Sequence, residues 1–311
     1  MKNIALVVIM SLVVWSCNED DFPEIEQIPE VPDELTIFDP VIIGEENVGC
    51  VANIIFLAEG FTDSEMNEFI KLCNIAKQAI LDMEPFASSQ SSLNFYRVES
   101  PSLTSGIKTI QYTSECNGTT GINTTSNTPW SVYGNRVGLE HFAGVELEAR
   151  NKIEDLYGDY ATGDYAYTII IANTTDYLGG AERPGIADDS ILEPRVSNMI
   201  VSKVYGDYAF KYLVRHEFGH SFGNLDDEYV DEDSACLLKE LNDGSFPEPF
   251  GGNVLDYNPG SWFEGANYLP TGYWREWEDS IMNGDFYATT FSPKQKEIVT
   301  QRLLEAIGCN Q

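Results

Sequence analysis

His216-Glu217-Phe218-Gly219-His220-Ser221-Phe222-Gly223-Asn224-Leu225-Asp226-Asp227-Glu228-Tyr229 is the stretch on which the reading of this chain turns. Apolar residues at helical spacing lead into it and predict a helix over residues 208–222. In a helix, positions four apart lie about 40° apart on one face and one turn apart along the axis. His216 and His220 can therefore present two imidazoles to one metal ion. Glu217 stands about 100° from His216, beside such an ion rather than bound to it. A carboxylate there suits a general base that takes a proton from water polarised by the metal. The chain holds 3 histidines, His141 being the other. Accident alone seldom sets two of three at this spacing with Glu in second place. The plainer reading is a surface helix with ordinary polar side chains four apart.

A catalytic metal needs three protein ligands if a fourth position is to hold water. Gly223 can take a positive φ, end the helix and turn the chain back beneath the metal. With no histidine downstream, an acid is the economical third ligand. Asp226 has the best spacing, with Asp227 and Glu228 as alternatives. The run 226–233 holds six acids, so a solvated loop or a calcium site competes for them.

Outward from the motif, composition sets limits. The 311 residues carry 18 Lys+Arg against 50 Asp+Glu, a formal charge of −32. Nucleic acid is excluded as a partner, because a phosphate-tracking surface needs basic clusters. A hydrophobic share of 43% is that of a globular chain and not a disordered one. Residues 1–16, MKNIALVVIMSLVVWS, have the proportions of a signal peptide and are too short for a permanent span. Val14-Trp15-Ser16-Cys17 resembles a bacterial lipobox, with Cys17 as the lipidated first residue of the mature chain. Residues 18–40 then hold nine acids, four prolines and no base. Such a segment cannot pack a core and stays extended, so 17–40 reads as a lipidated cysteine and spacer. Acids directly after Cys17 resemble surface-export signals. The expected address is an exported lipoprotein of the outer membrane, at the cell surface, held to the membrane by its lipid.

No linker or repeat divides 41–311, which reads as one domain. Cys50, Cys73, Cys116, Cys236 and Cys309 fall within it, and an exported compartment permits disulfides. Cys73 sits in a helical pattern and reads as core. Strands are expected at 51–58, 95–98, 167–172 and 198–202. Helices are expected after the capping box Thr62-Asp63-Ser64-Glu65, at 145–156, at 208–222 and from Ser292-Pro293 to about Ile307. Residues 104–135 read as loop, and 223–291 show few regular signals. Strands alternating with helices indicate α/β or α+β.

His216-Glu217-x-x-His220-x-x-Gly223-x-x-Asp226 resembles the metzincin zinc peptidases, in the variant with Asp as third ligand. Ser280-Ile281-Met282-Asn283-Gly284 resembles their Met-turn, which sets Met282 beneath the metal. A closer resemblance is to the bacterial IgA-peptidase-type metallopeptidase family. It is carried by residues 57–62, by Asn173 to Gly180 ending Tyr177-Leu178-Gly179-Gly180, by 216–229 and by 280–284. In that family the stretch often ends Asp-Glu-Tyr, which keeps Asp227 and Glu228 beside Asp226. The resemblance implies a twisted mixed sheet with a backing helix and the active-site helix above. It implies an upper part over about 41–222. Below lies an irregular part over about 223–311, with Met-turn and C-terminal helix. It also implies Zn2+ as cofactor and Glu217 as general base. The substrate would be protein or peptide, lying along an edge strand that Gly179 and Gly180 would provide. A Gly-Gly turn is the other reading of that pair. Tyr229 would be an oxyanion donor or a packing residue.

These readings together describe a lipid-anchored zinc endopeptidase acting on extracellular protein, host glycoprotein included. The competing function is a surface lipoprotein that binds protein or glycan on the same fold. A cell-wall amidase is a third. An intact Glu217 favours the first, since a pure binding site has no need of a base beside the metal.

Overall fold

The computed structural model describes residues 35–111, 126–137, 140–182, 195–204, 206–241, 244–284 and 286–307. The leader 1–16, Cys17, most of the spacer, Cys116 and Cys309 lie outside them. Strands β1 (Val41–Ile42), β2 (Ala52–Glu59), β3 (Leu93–Val98), β4 (Lys108–Gln111), β5 (Val132–Val137) and β6 (Glu140–Val145) come first. Then follow β7 (Ala166–Ala172), β8 (Gly179–Ala181), β9 (Val196–Ser202), β10 (Val254–Leu255), β11 (Phe263–Ala266) and β12 (Leu269–Arg275). The helices are α1 (Met66–Leu81), α2 (Leu147–Tyr157), α3 (Asp207–Ser221), α4 (Glu232–Leu241) and α5 (Pro293–Ala306).

β2, β7 and β9 are buried over their whole lengths. A parallel strand covered on both faces reads as a continuous apolar run, which is why these three were the plainest in the sequence. Among the described residues they form the centre of a nine-stranded sheet ordered β1-β3-β2-β7-β9-β8-β6-β5-β4. β3, β2, β7 and β9 run parallel, and β8 runs antiparallel to β9. Successive side chains on a strand point to opposite faces. Ile54, Phe56, Ala58, Ile169, Ile171, Met199 and Val201 pack with apolar residues of α1, α3 and α5. Ile55, Leu57, Ile170 and Ile200 pack with Ala149, Ile153 and Tyr157 of α2. The sheet is mixed, with α3 and α1 on one face and α2 backing the other, as the family resemblance implied.

α1 follows a short 3-10 turn, where the Glu65 carboxylate accepts from the Thr62 N–H at 2.9 Å. Phe69, Cys73, Ala76 and Ile80 are its buried stripe, and Cys73 is a free thiol there. Arg215 fastens α3 to α1 by donating to the Ala79 carbonyl at 3.2 Å. Phe218 of α3 packs on Phe86 and Phe222, at centroid distances of 5.2 and 5.0 Å. Truncating such a buried ring costs about 3–5 kcal/mol. α5 opens on Ser292, as expected, and its N–H and Oγ exchange hydrogen bonds with Gln295 in a capping box.

Two expectations are corrected. Residues 104–135 are not all loop, since β4 lies within them, β5 begins in them, and the two pair in parallel. Short strands far from the sheet centre are held by pairing that is remote in sequence, so their own composition signals little. Residues 223–291 contain α4 and a three-stranded sheet ordered β10-β12-β11. α4 did carry a signal, because the Asp231 carboxylate caps it by accepting from the N–H groups of Asp233 and Ser234. Cys50 and Cys236 are each disulfide-bonded. Among the described residues no helix is long and apolar enough to cross a membrane.

Candidate active site

α3 presents His216 and His220 one turn apart, and both are buried. Their Nε2 atoms lie 3.3 Å apart. Asp227 Oδ1 closes the triangle, 3.0 Å from His216 Nε2 and 3.1 Å from His220 Nε2. Among the described residues this is the group of three able to hold a metal ion. Four ligands placed tetrahedrally about 2.0–2.1 Å from an ion are separated by about 3.3 Å, so the triangle has the size of a zinc site. The far side of each ring supports the same assignment. His216 Nδ1 lies 3.0 Å from the Ile281 carbonyl, and His220 Nδ1 lies 2.6 Å from the Leu225 carbonyl. A carbonyl can only accept, so Nδ1 carries the proton and the Nε2 lone pair faces the centre. Two imidazoles and one carboxylate form a donor set that suits zinc.

Charge in the metal-free protein obeys the same geometry. Burial would lift the Asp227 carboxyl, but the two histidines outweigh it and hold the group well below the usual range. Burial would lower His216, but the Asp227 carboxylate beside it pushes the ring up to about 9. A dication would replace the proton there, because binding requires a neutral ring.

The chain reaches Asp227 by a turn that differs from the expected one. The left-handed residue is Asn224, at φ 56, and Gly223 is absent from the positive-φ glycines. Gly223 is required for another reason. A Cβ there would meet the Gly219 carbonyl oxygen at 2.6 Å and Val299 of α5 at 2.9 Å. After the turn, residues 226–228 send their side chains to alternate partners. Asp226 and Glu228 fall on one side, where Asn253 Nδ2 donates to the Asp226 carbonyl at 2.9 Å and to Glu228 Oε1 at 3.1 Å. Asp227 falls on the other side, toward the histidines. Asp226, the best-spaced acid in the sequence, instead accepts from the Gly251 N–H at 2.5 Å. Glu228 accepts from Ser280 Oγ at 2.7 Å, and burial raises its carboxyl to about 7. Of the three acids, only Asp227 is brought to the imidazoles. With the acids of 226–228 directed to three different partners, an oxygen cage for calcium finds no support among the described residues.

Glu217 leaves α3 toward β8. A Cβ built on Gly179 would lie 2.1 Å from Glu217 Oε1, so only glycine leaves room for that carboxylate. The substrate-edge expectation is corrected at Gly179. β8 lies between β9 and β6, with Gly179 paired to Val201 on one side and Phe142 on the other. The neighbour, β6, lies just past the segment that read as loop, and β5 and β4 continue the sheet beyond it.

Met282 lies in a 3-10 turn, Ile281–Asn283, that ends on left-handed Gly284. Its sulfur rests against the helix backbone between the two histidines, 2.4 Å from where a Gly219 Cβ would be. The Met282 carbonyl accepts from the Glu228 N–H at 2.7 Å, which joins this turn to the segment that carries Asp227. Tyr229 packs its ring 6.1 Å from His216 and 5.0 Å from Tyr268. Cys17 lies outside the described residues, and His141 sits on β6.

Sequence reasoning missed Tyr268, whose hydroxyl donates to Asp227 Oδ2, and Asn253, which sorts the acids. Glu59, the last residue of β2, is a further buried group. This buried carboxylate accepts from Thr128 Oγ1 at 2.6 Å and from the N–H groups of Trp130 and Val132 at 3.0 and 2.8 Å. The signal available was an acid ending an otherwise apolar strand.

No curated protein matches the chain. The family model described as IgA Peptidase M64 matches residues 49–260, more than half of it, and the match includes α3 and Asp227. The chain therefore belongs to the IgA peptidase M64 family and is a metallopeptidase.

Proposed function

We propose that the protein is a zinc-dependent endopeptidase, lipid-anchored through Cys17 and exposed at the cell surface. Its substrates would be extracellular proteins, host glycoproteins among them. The observation that carries the catalytic reading is the Nε2, Nε2, Oδ1 triangle of His216, His220 and Asp227, with Glu217 one residue along the same helix. Zinc held there would supply Lewis acidity toward water and the scissile carbonyl. Glu217 would take the proton of the attacking water on a carboxylate oxygen and pass it to the leaving amine nitrogen. One water is consumed as one C–N bond breaks. His216 and His220 would stay fixed through Nδ1 on the Ile281 and Leu225 carbonyls. The anchor rests on the leader 1–16 and the lipobox-like Val14-Trp15-Ser16-Cys17.

The test is cleavage of a broad peptide library read by mass spectrometry. Cleavage should stop with a chelator and return with zinc. Glu217→Ala should lower kcat/KM on the order of 10²–10⁴-fold while the chain still takes up the metal. A protein that binds zinc and cuts nothing in the library would point to the binding role instead. The anchor is read separately, by incorporation of an alkynyl fatty acid in wild type that disappears in Cys17→Ala.

A further inference from the structure

β11 and β12 join at a two-residue turn, Asn267-Tyr268, with φ of +50 and +65. Both residues are left-handed, as a tight hairpin of this kind requires. Asn accepts that conformation readily, but the second position ordinarily takes glycine, and a bulky side chain there is uncommon. A residue kept in an unfavourable conformation directs attention to what its side chain does.

The turn is fastened to the segment that carries Asp227. The Asn267 N–H donates to the Asp227 carbonyl at 3.0 Å, and the Tyr268 N–H to the Tyr229 carbonyl at 2.9 Å. The Asp231 N–H donates back to the Tyr268 carbonyl at 3.0 Å. Asn267 Nδ2 holds the other side, at 3.1 Å from the Pro247 carbonyl. On this mount the Tyr268 hydroxyl donates to Asp227 Oδ2, while Oδ1 of the same carboxylate faces both histidines.

We propose that Tyr268 is a positioning residue for the metal site, pinning Asp227 so that Oδ1 alone is offered to the ion. The inference rests on the zinc reading of that site. A carboxylate is otherwise able to swing or to chelate through both oxygens. A hydroxyl on one oxygen fixes its rotation and selects the single-oxygen mode, as outer hydrogen bonds commonly do for metal ligands. The metal site is thereby assembled from α3, the segment that carries Asp227 and a hairpin some forty residues further on.

The experiment is zinc competition against a chromophoric chelator on the full chain, with the visible spectrum of the cobalt-substituted protein as a second readout. Tyr268→Phe should weaken zinc about 10–100-fold and shift the cobalt bands. Tyr273→Phe is the control. It removes a hydroxyl that bonds Glu248 from β12, the strand that follows the turn, and it should leave affinity within about twofold. Tyr268→Gly separates positioning from folding. Glycine is at home in the turn and keeps the hairpin, so it should lose affinity as Phe does if the hydroxyl matters. Wild-type affinity in either Tyr268 variant overturns the inference and leaves the zinc reading intact. A wild-type chain that takes up no zinc overturns both.

Discussion

Replacing Gly179 by Ala tests where Glu217 works from. The added Cβ would lie 2.1 Å from Glu217 Oε1, 2.8 Å from its Cδ and 2.8 Å from Leu213 Cδ1. Ordinary contact begins at 3.4 Å, so the oxygen must retreat by the difference, about 1.3 Å. The strand has little freedom to yield instead, because Gly179 is paired on both sides. Glu217 is the part that moves. Misplacing a group that handles a proton by about 1 Å costs on the order of 10²-fold in rate. At 1.36 kcal/mol per decade that is about 2.7 kcal/mol of transition-state stabilisation. The assay is kcat and KM on an internally quenched peptide, with zinc content measured on the same sample. We expect the loss to fall mainly on kcat, with zinc retained, because the nearest atoms belong to Glu217 and Leu213 and not to the metal-facing residues. Activity within about threefold of wild type would refute the reasoning, since the carboxylate would then act from somewhere else. Loss of zinc would refute it differently, by showing that the clash spreads beyond Glu217.

Two further outcomes separate the acids and the buried carboxyls. Asp227→Asn should weaken zinc by more than about 100-fold, beyond the worth of an outer partner. Asp226→Asn should leave zinc binding intact and cost about 1–2 kcal/mol in urea unfolding, through its bond to Gly251. The reverse pattern in chelator competition would reassign the ligand. Burial raises the Glu59 carboxyl to about 7, against the ordinary 4.5, despite three hydrogen bonds that lower it. Between those values the folded chain holds a proton that the unfolded chain has lost. Stability contributed here is therefore full below pH 4.5, falls as pH rises toward 7 and is level above, by on the order of 3 kcal/mol. Glu228 follows the same course. Urea midpoints of the metal-free protein from pH 5 to 8 should fall less steeply in Glu59→Gln, and an unchanged slope would contradict this account.

The sequence by itself determined the elements whose signal is local. β2, β7 and β9 announced themselves as apolar runs, α1 and α5 by their capping residues, and α3 by its periodicity. His216, Glu217 and His220 were legible for the same reason, because four residues make about one helical turn and no distant contact is needed to aim them. The third acid was not legible. Beyond the helix no periodic element aims the side chains, and whether Asp226 or Asp227 faces the histidines depends on how the chain leaves its turn. That exit is set by Asn224 taking the left-handed turn and by Asn253 holding the opposite side. Tyr268 and the Ile281 carbonyl lay further out of reach, being brought to Asp227 and His216 by a hairpin and a turn more than forty residues away. β4 and β5 hid in polar sequence because their pairing, not their composition, makes them strands. Local periodicity could name two ligands and a base. Only tertiary packing could choose the acid, orient the rings and close the site.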